Sequence, residues 1–93
     1  QWEQKSEIKV NKEKLNLLVF PNPFTGILQW RITGEHNDGI ITIKDLVGKN
    51  IRHENVNADK KEGSLDLSAL SKGVYMIHYS DTEFVTTKKI VKQ

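Results

Sequence analysis

Histidine, cysteine and serine are the side chains whose spacing would first indicate catalysis or metal binding. The chain has no cysteine, which excludes thiolate metal ligands, disulfide bonds and a cysteine nucleophile. His36, His53 and His78 lie in separate segments without the spacing of zinc ligands. No glycine-rich phosphate loop occurs, and no serine lies in a nucleophile elbow. These residues predict a non-catalytic protein without a cofactor or a metal.

A short polar segment brings several oxygen ligands together at Glu35, Asn37 and Asp38. Their spacing is not that of an EF-hand calcium loop. A solvated hairpin turn between two strands is the simpler interpretation. We therefore expect this segment to connect neighbouring strands.

The last segment combines β-prone residues with positive charge, and it is the best candidate for partner recognition. An edge strand exposes backbone groups that another chain can pair with, and lysines can steer a domain towards an acidic surface. The same lysines can instead block aggregation at a sheet edge, and charge alone favours that alternative. The candidate recognition residues are Thr87, Lys88, Lys89, Ile90, Val91 and Lys92.

Length and composition limit the elements that can position these residues. The chain has 93 residues, 37% of them hydrophobic and 28% charged, with a net charge of +2. One domain with a modest core fits this size. A dense basic stripe is missing, which disfavours a nucleic-acid partner, and no apolar run approaches the ~20 residues of a transmembrane helix. A site for a small-molecule substrate is not expected either.

Short β-prone runs separated by turn residues follow one another from residue 15 onwards. Their regular spacing predicts an all-β fold, a single antiparallel immunoglobulin-like β-sandwich of about seven short strands. Residues 1–14 are polar and charge-mixed, and we interpret them as a linker, with Trp2 as a stray aromatic. Residues 15–93 form the predicted domain. The predicted strands are 15–20, 27–33, 40–45, 51–56, 64–67, 73–80 and 83–91, and the fourth is polar enough for an edge.

Alternation within these strands predicts the core. Trp30 shares a face with Leu28 and Ile32, so it is expected to pack inside the sandwich rather than to form a sugar-binding platform. Tyr75 and Tyr79 are expected to face inwards as well. The other core positions predicted by alternation are Ile41, Ile43 and Ile77.

Turn residues between the strands have structural interpretations. Pro21 and Pro23 stiffen a strand end, and Asn22 between them can bond nearby backbone in an Asx-turn; receptor contact is the alternative. Asp45 can accept N–H bonds across a turn in which Gly48 takes a positive φ. Metal binding at Asp45 is the weaker alternative, because only one carboxylate is local.

A further motif resembles the tyrosine corner of β-sandwiches, in which a tyrosine hydroxyl bonds to backbone a few residues upstream. Leu70, Gly73 and Tyr75 carry it. We predict that Tyr75 is structural.

Four blocks of the sequence, in order, resemble one known module. Val19 to Gly26, VFPNPFTG, resembles its opening block YPNPxxG, in which Gly26 is the closing glycine. Residues 41–49, ITIKDLVGK, resemble I-x-D-x-x-G-K. Residues 66–75, DLSALSKGVY, resemble D-L-S-x-L-x-x-G-x-Y, and residues 87–92, TKKIVK, resemble its basic, aliphatic end. The module is the type A C-terminal sorting domain of the type IX secretion system of Bacteroidetes.

This resemblance implies a function in secretion. Such domains are fused to an upstream cargo protein, which crosses the periplasm and leaves the cell through an outer-membrane translocon. A sortase-like protease commonly removes the domain, and the cargo is released or attached at the cell surface. The resemblance favours residues 87–92 as the recognised segment. Phe20, His78 and Gln93 depart from the commonest pattern without removing a group that recognition requires.

Two other functions remain open at this point. A β-sandwich can bind carbohydrate or a cell-surface ligand, which requires an exposed row of aromatic side chains. A passive spacer would tolerate changes to the terminal lysines.

Overall fold

The structure is a computed structural model that describes residues 15–93, and the predicted linker at residues 1–14 and Trp2 lie outside the described residues. Seven strands account for most of this part of the chain. Their bounds are β1 Asn16–Phe20, β2 Ile27–Thr33, β3 Gly39–Lys44, β4 Asn50–Val56, β5 Glu62–Asp66, β6 Gly73–Ser80 and β7 Val85–Lys92.

The strands form two antiparallel sheets. One has three strands in the order β1-β2-β5, and the other has four in the order β4-β3-β6-β7. The predicted all-β sandwich fold is confirmed. The fourth strand lies at a sheet edge, as its polar composition predicts.

The core lies between the two sheets and follows the predicted alternation. In β2, every second side chain is buried, and Trp30 is completely buried between Leu28 and Ile32. Tyr75 and Tyr79 are also buried, so the expectation that the large aromatics face inwards is confirmed. Trp30 pairs across the sheet with Gly63, where an added Cβ would lie 2.8 Å from the indole ring. Glycine at this position therefore makes room for the indole.

The fifth strand begins two residues earlier than predicted, at Glu62 instead of residue 64. Neither Glu62 nor Gly63 has an apolar side chain, so the sequence does not indicate that they belong to a strand. They join the sheet because Gly63 lies opposite Trp30 and Glu62 lies opposite Arg31, whose Nη2 is 3.0 Å from Glu62 Oε1.

The expectation of a hairpin turn at residues 35–38 is wrong. This segment connects β2 in one sheet to β3 in the other, so it crosses the end of the sandwich. His36 is buried there, and its Nε2 lies 2.8 Å from the carbonyl oxygen of Lys60. Burial of this histidine anchors the crossover, which local sequence polarity does not reveal.

Candidate functional site

The candidate recognition segment is almost the whole of β7, which is an edge strand of the four-stranded sheet. Its side chains alternate between the two sides of the sheet. Thr87 and Lys89 are exposed, Lys88 is half-buried, and Ile90 is completely buried in the core. The predicted edge position is confirmed, and Thr87 and Lys89 are the exposed side chains of the candidate segment.

Lys92 differs from the other lysines of β7. Only 8% of it is exposed, and its Nζ donates a hydrogen bond to the carbonyl oxygen of Gln93 at 3.3 Å. Its alternation with Ile90 directs the side chain towards the core side of the sheet. The expectation that three lysines face an acidic partner therefore does not fit Lys92, whose aliphatic stem packs inwards.

The outer edge of β7 is partly covered by the Pro-Asn-Pro segment. Asn22 Nδ2 donates to the carbonyl oxygen of Lys89, and Asn22 Oδ1 accepts from the N–H of Val91, both at 3.0 Å. Next to it, Phe24 forms a parallel bridge with the strand. The Phe24 N–H donates to Val91 O at 2.9 Å, and Gln93 N–H donates to Phe24 O at 2.8 Å.

This geometry corrects the expected Asx-turn. The amide of Asn22 bonds backbone 67 and 69 residues along the chain instead of its own neighbours. A side-chain amide offers one donor and one acceptor, like a peptide group, so it can pair with a strand edge. The completely buried side chain of Phe24 holds the segment against β7. We call Asn22 and Phe24 together the edge cap.

The other predicted turn residues have the structural roles that their types suggest. Asp45 Oδ1 accepts N–H bonds from Val47 at 3.0 Å and from Lys49 at 2.9 Å. Gly48 has φ of 91° in this turn. The carbonyl of Gly26 accepts the N–H of Leu67 at 2.9 Å. These residues shape the chain between strands.

The tyrosine corner is confirmed. The Tyr75 hydroxyl donates to the carbonyl oxygen of Ser71 at 2.7 Å, four residues upstream. Leu70 packs against the core, and Gly73 has φ of 151°. This bond, the packing of Leu70 and the backbone conformation of Gly73 together fix the turn between β5 and β6.

The same turn is tightened at its start by a carboxylate. Asp66 Oδ1 accepts from the hydroxyl of Ser68 at 2.6 Å and from its N–H at 3.1 Å. These two bonds, with the nearby charge of Arg52, lower the pKa of the Asp66 carboxyl below its usual value.

At one end of the sandwich lies a buried polar network that the sequence does not predict. The Tyr79 hydroxyl donates to Asp81 Oδ2 at 2.6 Å and lies 3.2 Å from Nδ1 of His36. Burial raises the pKa of Tyr79, and the bond to Asp81 raises it further. The spacing of tyrosine and aspartate at i and i+2 was the available signal, but the third member is remote in sequence.

Asp81 is the centre of this network. Burial opposes ionisation of its carboxyl, but bonds from the Tyr79 hydroxyl and from the N–H groups of Glu83, Phe84 and Asn37 outweigh burial and lower its pKa. The carboxylate thereby joins the crossover at residue 37 to the turn before β7.

Within residues 15–93, no three His, Asp or Glu side chains are grouped so that they could hold a metal ion. No helix in residues 15–93 is long and apolar enough to cross a membrane.

The four sequence blocks correspond to four structural features, namely the edge cap, the turn after β3, the tyrosine corner and the edge strand β7. A family model described as the secretion system C-terminal sorting domain matches residues 18–93. The chain belongs to this family. Among curated proteins, no sequence is similar enough to count as a match. The match confirms the type IX sorting domain that the blocks predict.

Membership establishes the general function of this sorting domain. It is a C-terminal secretion signal that acts on a fused cargo protein through the type IX machinery, and the cargo is exported to the medium or the cell surface. The carbohydrate-binding alternative loses its main support, because Trp30, Tyr75 and Tyr79 are buried and form no exposed aromatic row.

Proposed function

We propose that this domain is a non-catalytic signal that an outer-membrane translocon of the type IX system recognises through β7. Within the candidate segment Thr87–Lys92, the exposed Thr87 and Lys89 make the contact. The cargo passes through the periplasm. A sortase-like protease then cleaves within residues 1–14, and the cargo is released or attached at the surface of a Bacteroidetes cell. The observation that carries the proposal is an edge strand with exposed Lys89 in the last block of the family motif series.

Charge supports this assignment. The β7 sequence VTTKKIVK contains no acidic residue, and Lys89 forms no ion pair within residues 15–93. An unpaired cation on an exposed edge attracts an acidic partner surface and accelerates association.

An export assay tests the proposal. Residues 1–93 are fused behind a Sec signal and a fluorescent reporter, and expressed in a bacterium with type IX machinery and in its translocon mutant. We expect the reporter in the medium or on the surface of the first strain and in the periplasm of the second. Retention in the periplasm of both strains would refute the secretion role.

The contribution of β7 is tested by a matched pair of lysine variants. Lys89→Gln removes an exposed charge from β7, and Lys49→Gln removes one from the turn between β3 and β4. We expect Lys89→Gln to slow export and Lys49→Gln to leave it unchanged. Equal rates for the two variants would contradict recognition through the charge of β7.

A further inference from the structure

The outer edge of β7 consists of two different halves. Val91 directs its N–H and C=O to the edge cap. Because backbone direction repeats every second residue in a strand, Val85, Thr87 and Lys89 direct theirs to the same side. The edge cap bonds the C=O of Lys89 and both groups of Val91. We call this stretch of backbone, from the C=O of Lys89 to Gln93, the covered half.

The remaining part, Val85–Lys89, is the open half. The N–H and C=O of Thr87 and the N–H of Lys89 point away from β6 and have no hydrogen-bond partner in residues 15–93. The short contact between the side chains of Thr87 and His78, at 2.8 Å, fits a non-hydrogen-bonded pair of the ladder. The open half is therefore a short row of unpaired backbone groups.

The other sheet edges are less suited to pairing. The edge strands β1 and β5 have five residues each, whereas β7 has eight. The edge strand β4 carries charges of both signs in Arg52 and Glu54, whereas the open half of β7 carries only the cations Lys88 and Lys89. Lysines on an edge strand repel a second copy of the same strand but pair favourably with an acidic one. In the open half, Val85 is 68% exposed at the end farther from the cap. Length therefore favours β7 over β1 and β5.

We propose that the open half, Val85–Lys89, is a docking site for an extended segment of a partner protein of the secretion machinery, which adds to the four-stranded sheet as a further strand. The edge cap excludes the partner from the covered half and so fixes where pairing stops. This inference rests on the proposed function, and it specifies which residues of β7 pair with the partner strand.

The side chains of the open half define the chemistry of the partner. Val85, Thr87 and Lys89 project on the outer face of the sheet at successive alternate positions. Cross-strand neighbours interact directly, and opposite charges stabilise such pairs. The partner segment therefore places an apolar residue beside Val85 and an acidic residue beside Lys89, while its backbone supplies the hydrogen bonds.

A proline variant with a matched alanine variant tests the site. Thr87→Pro deletes the outward N–H and leaves the bonds to β6, and proline is tolerated in edge strands where the N–H faces solvent. Thr87→Ala loses the same side-chain contact with His78 but keeps the N–H. In the reporter export assay, we expect Thr87→Pro to lower export roughly tenfold or more relative to Thr87→Ala.

Folding is measured for each purified variant by circular dichroism and thermal unfolding. If Thr87→Pro does not fold, the pair Val85→Pro and Val85→Ala replaces it, because proline is best tolerated at the first residue of a strand. Export of a folded proline variant at the level of its alanine partner would overturn the docking site while leaving the secretion role intact. Retention of the unaltered fusion in both strains would refute the proposed function, and the docking site with it.

A second copy of the domain is the competing occupant of the open half. Sedimentation of the purified protein distinguishes the two. A dimer that Thr87→Pro dissociates, together with unchanged export, would assign the edge to self-association and overturn the proposal. A monomer whose export depends on the Thr87 N–H supports the machinery as the partner.

Discussion

The edge cap makes a quantitative prediction about Asn22. In Asn22→Ala, the hydrogen bonds to Lys89 O and Val91 N–H are both lost. Each bond contributes about 0.5–1.5 kcal/mol net. Asn22 is exposed, so water replaces the lost partners and the low end applies. For two bonds, we expect the free energy of unfolding to fall by about 1 kcal/mol, which lowers the melting temperature by roughly 4–8 °C in a domain of this size.

The assay is urea unfolding of the full chain, with native-state hydrogen exchange of individual amides. Asn55→Ala is the matched control, because Asn55 is an exposed strand asparagine whose side chain has no hydrogen bond in residues 15–93. Asn22→Ala should also speed exchange of the Val91 N–H. A stability change no larger than that of Asn55→Ala, with Val91 exchange unaltered, would refute the cap as an energetic element.

Three further substitutions probe the core, the corner and the buried network. Gly63→Ala places a Cβ 2.8 Å from the ring of Trp30 and should lower stability by about 1–3 kcal/mol in urea unfolding. Tyr75→Phe removes the bond to Ser71 and should lower stability by about 1 kcal/mol in the same assay. Asp81→Asn should flatten the acid side of the stability–pH profile. The pKa of Asp81 is lower in the folded than in the unfolded state. The ionised carboxylate therefore stabilises the fold fully at a pH above the unfolded-state pKa of about 3.9, and this stabilisation is lost as the pH falls through the folded-state pKa.

Each of these variants has its own control or decisive outcome. Gly26→Ala is the matched glycine variant, since its Cβ meets nothing closer than 3.8 Å, and equal effects at the two glycines would exclude crowding at Trp30. An unchanged urea midpoint for Tyr75→Phe would remove the energetic role of the corner. Asp59→Asn, at an exposed aspartate, is the control for Asp81→Asn. If both variants showed the same dependence of stability on pH in the acid range, the role of Asp81 would be contradicted.

The strands were largely predictable because their cause is local. Alternation of Leu28, Trp30 and Ile32 gives the bounds and inward face of β2 without tertiary information. The start of β5 was not predictable, since Gly63 joins the sheet through the shape of Trp30 on another strand. The assignment of strands to the two sheets has the same long-range origin.

The candidate site was predictable only in part, for a similar reason. The lysines of β7 indicate an edge position, but the burial of Lys92 depends on the alternation set by its pairing with β6. The asparagine between two prolines suggests a turn, whereas its partners lie 67 and 69 residues away. Local residue preferences carry no information about a contact of that separation.

That separation has a consequence for the order in which the molecule is completed. The backbone of Phe24 has its partners at Val91 and Gln93, so this junction closes only after almost the whole domain has been synthesised. Contacts between such remote segments form late, because the loop between them must first lose its freedom. A chain truncated by a few C-terminal residues leaves Phe24 without its backbone partners. The junction at Phe24 thus forms only in a chain that contains Val91 and Gln93.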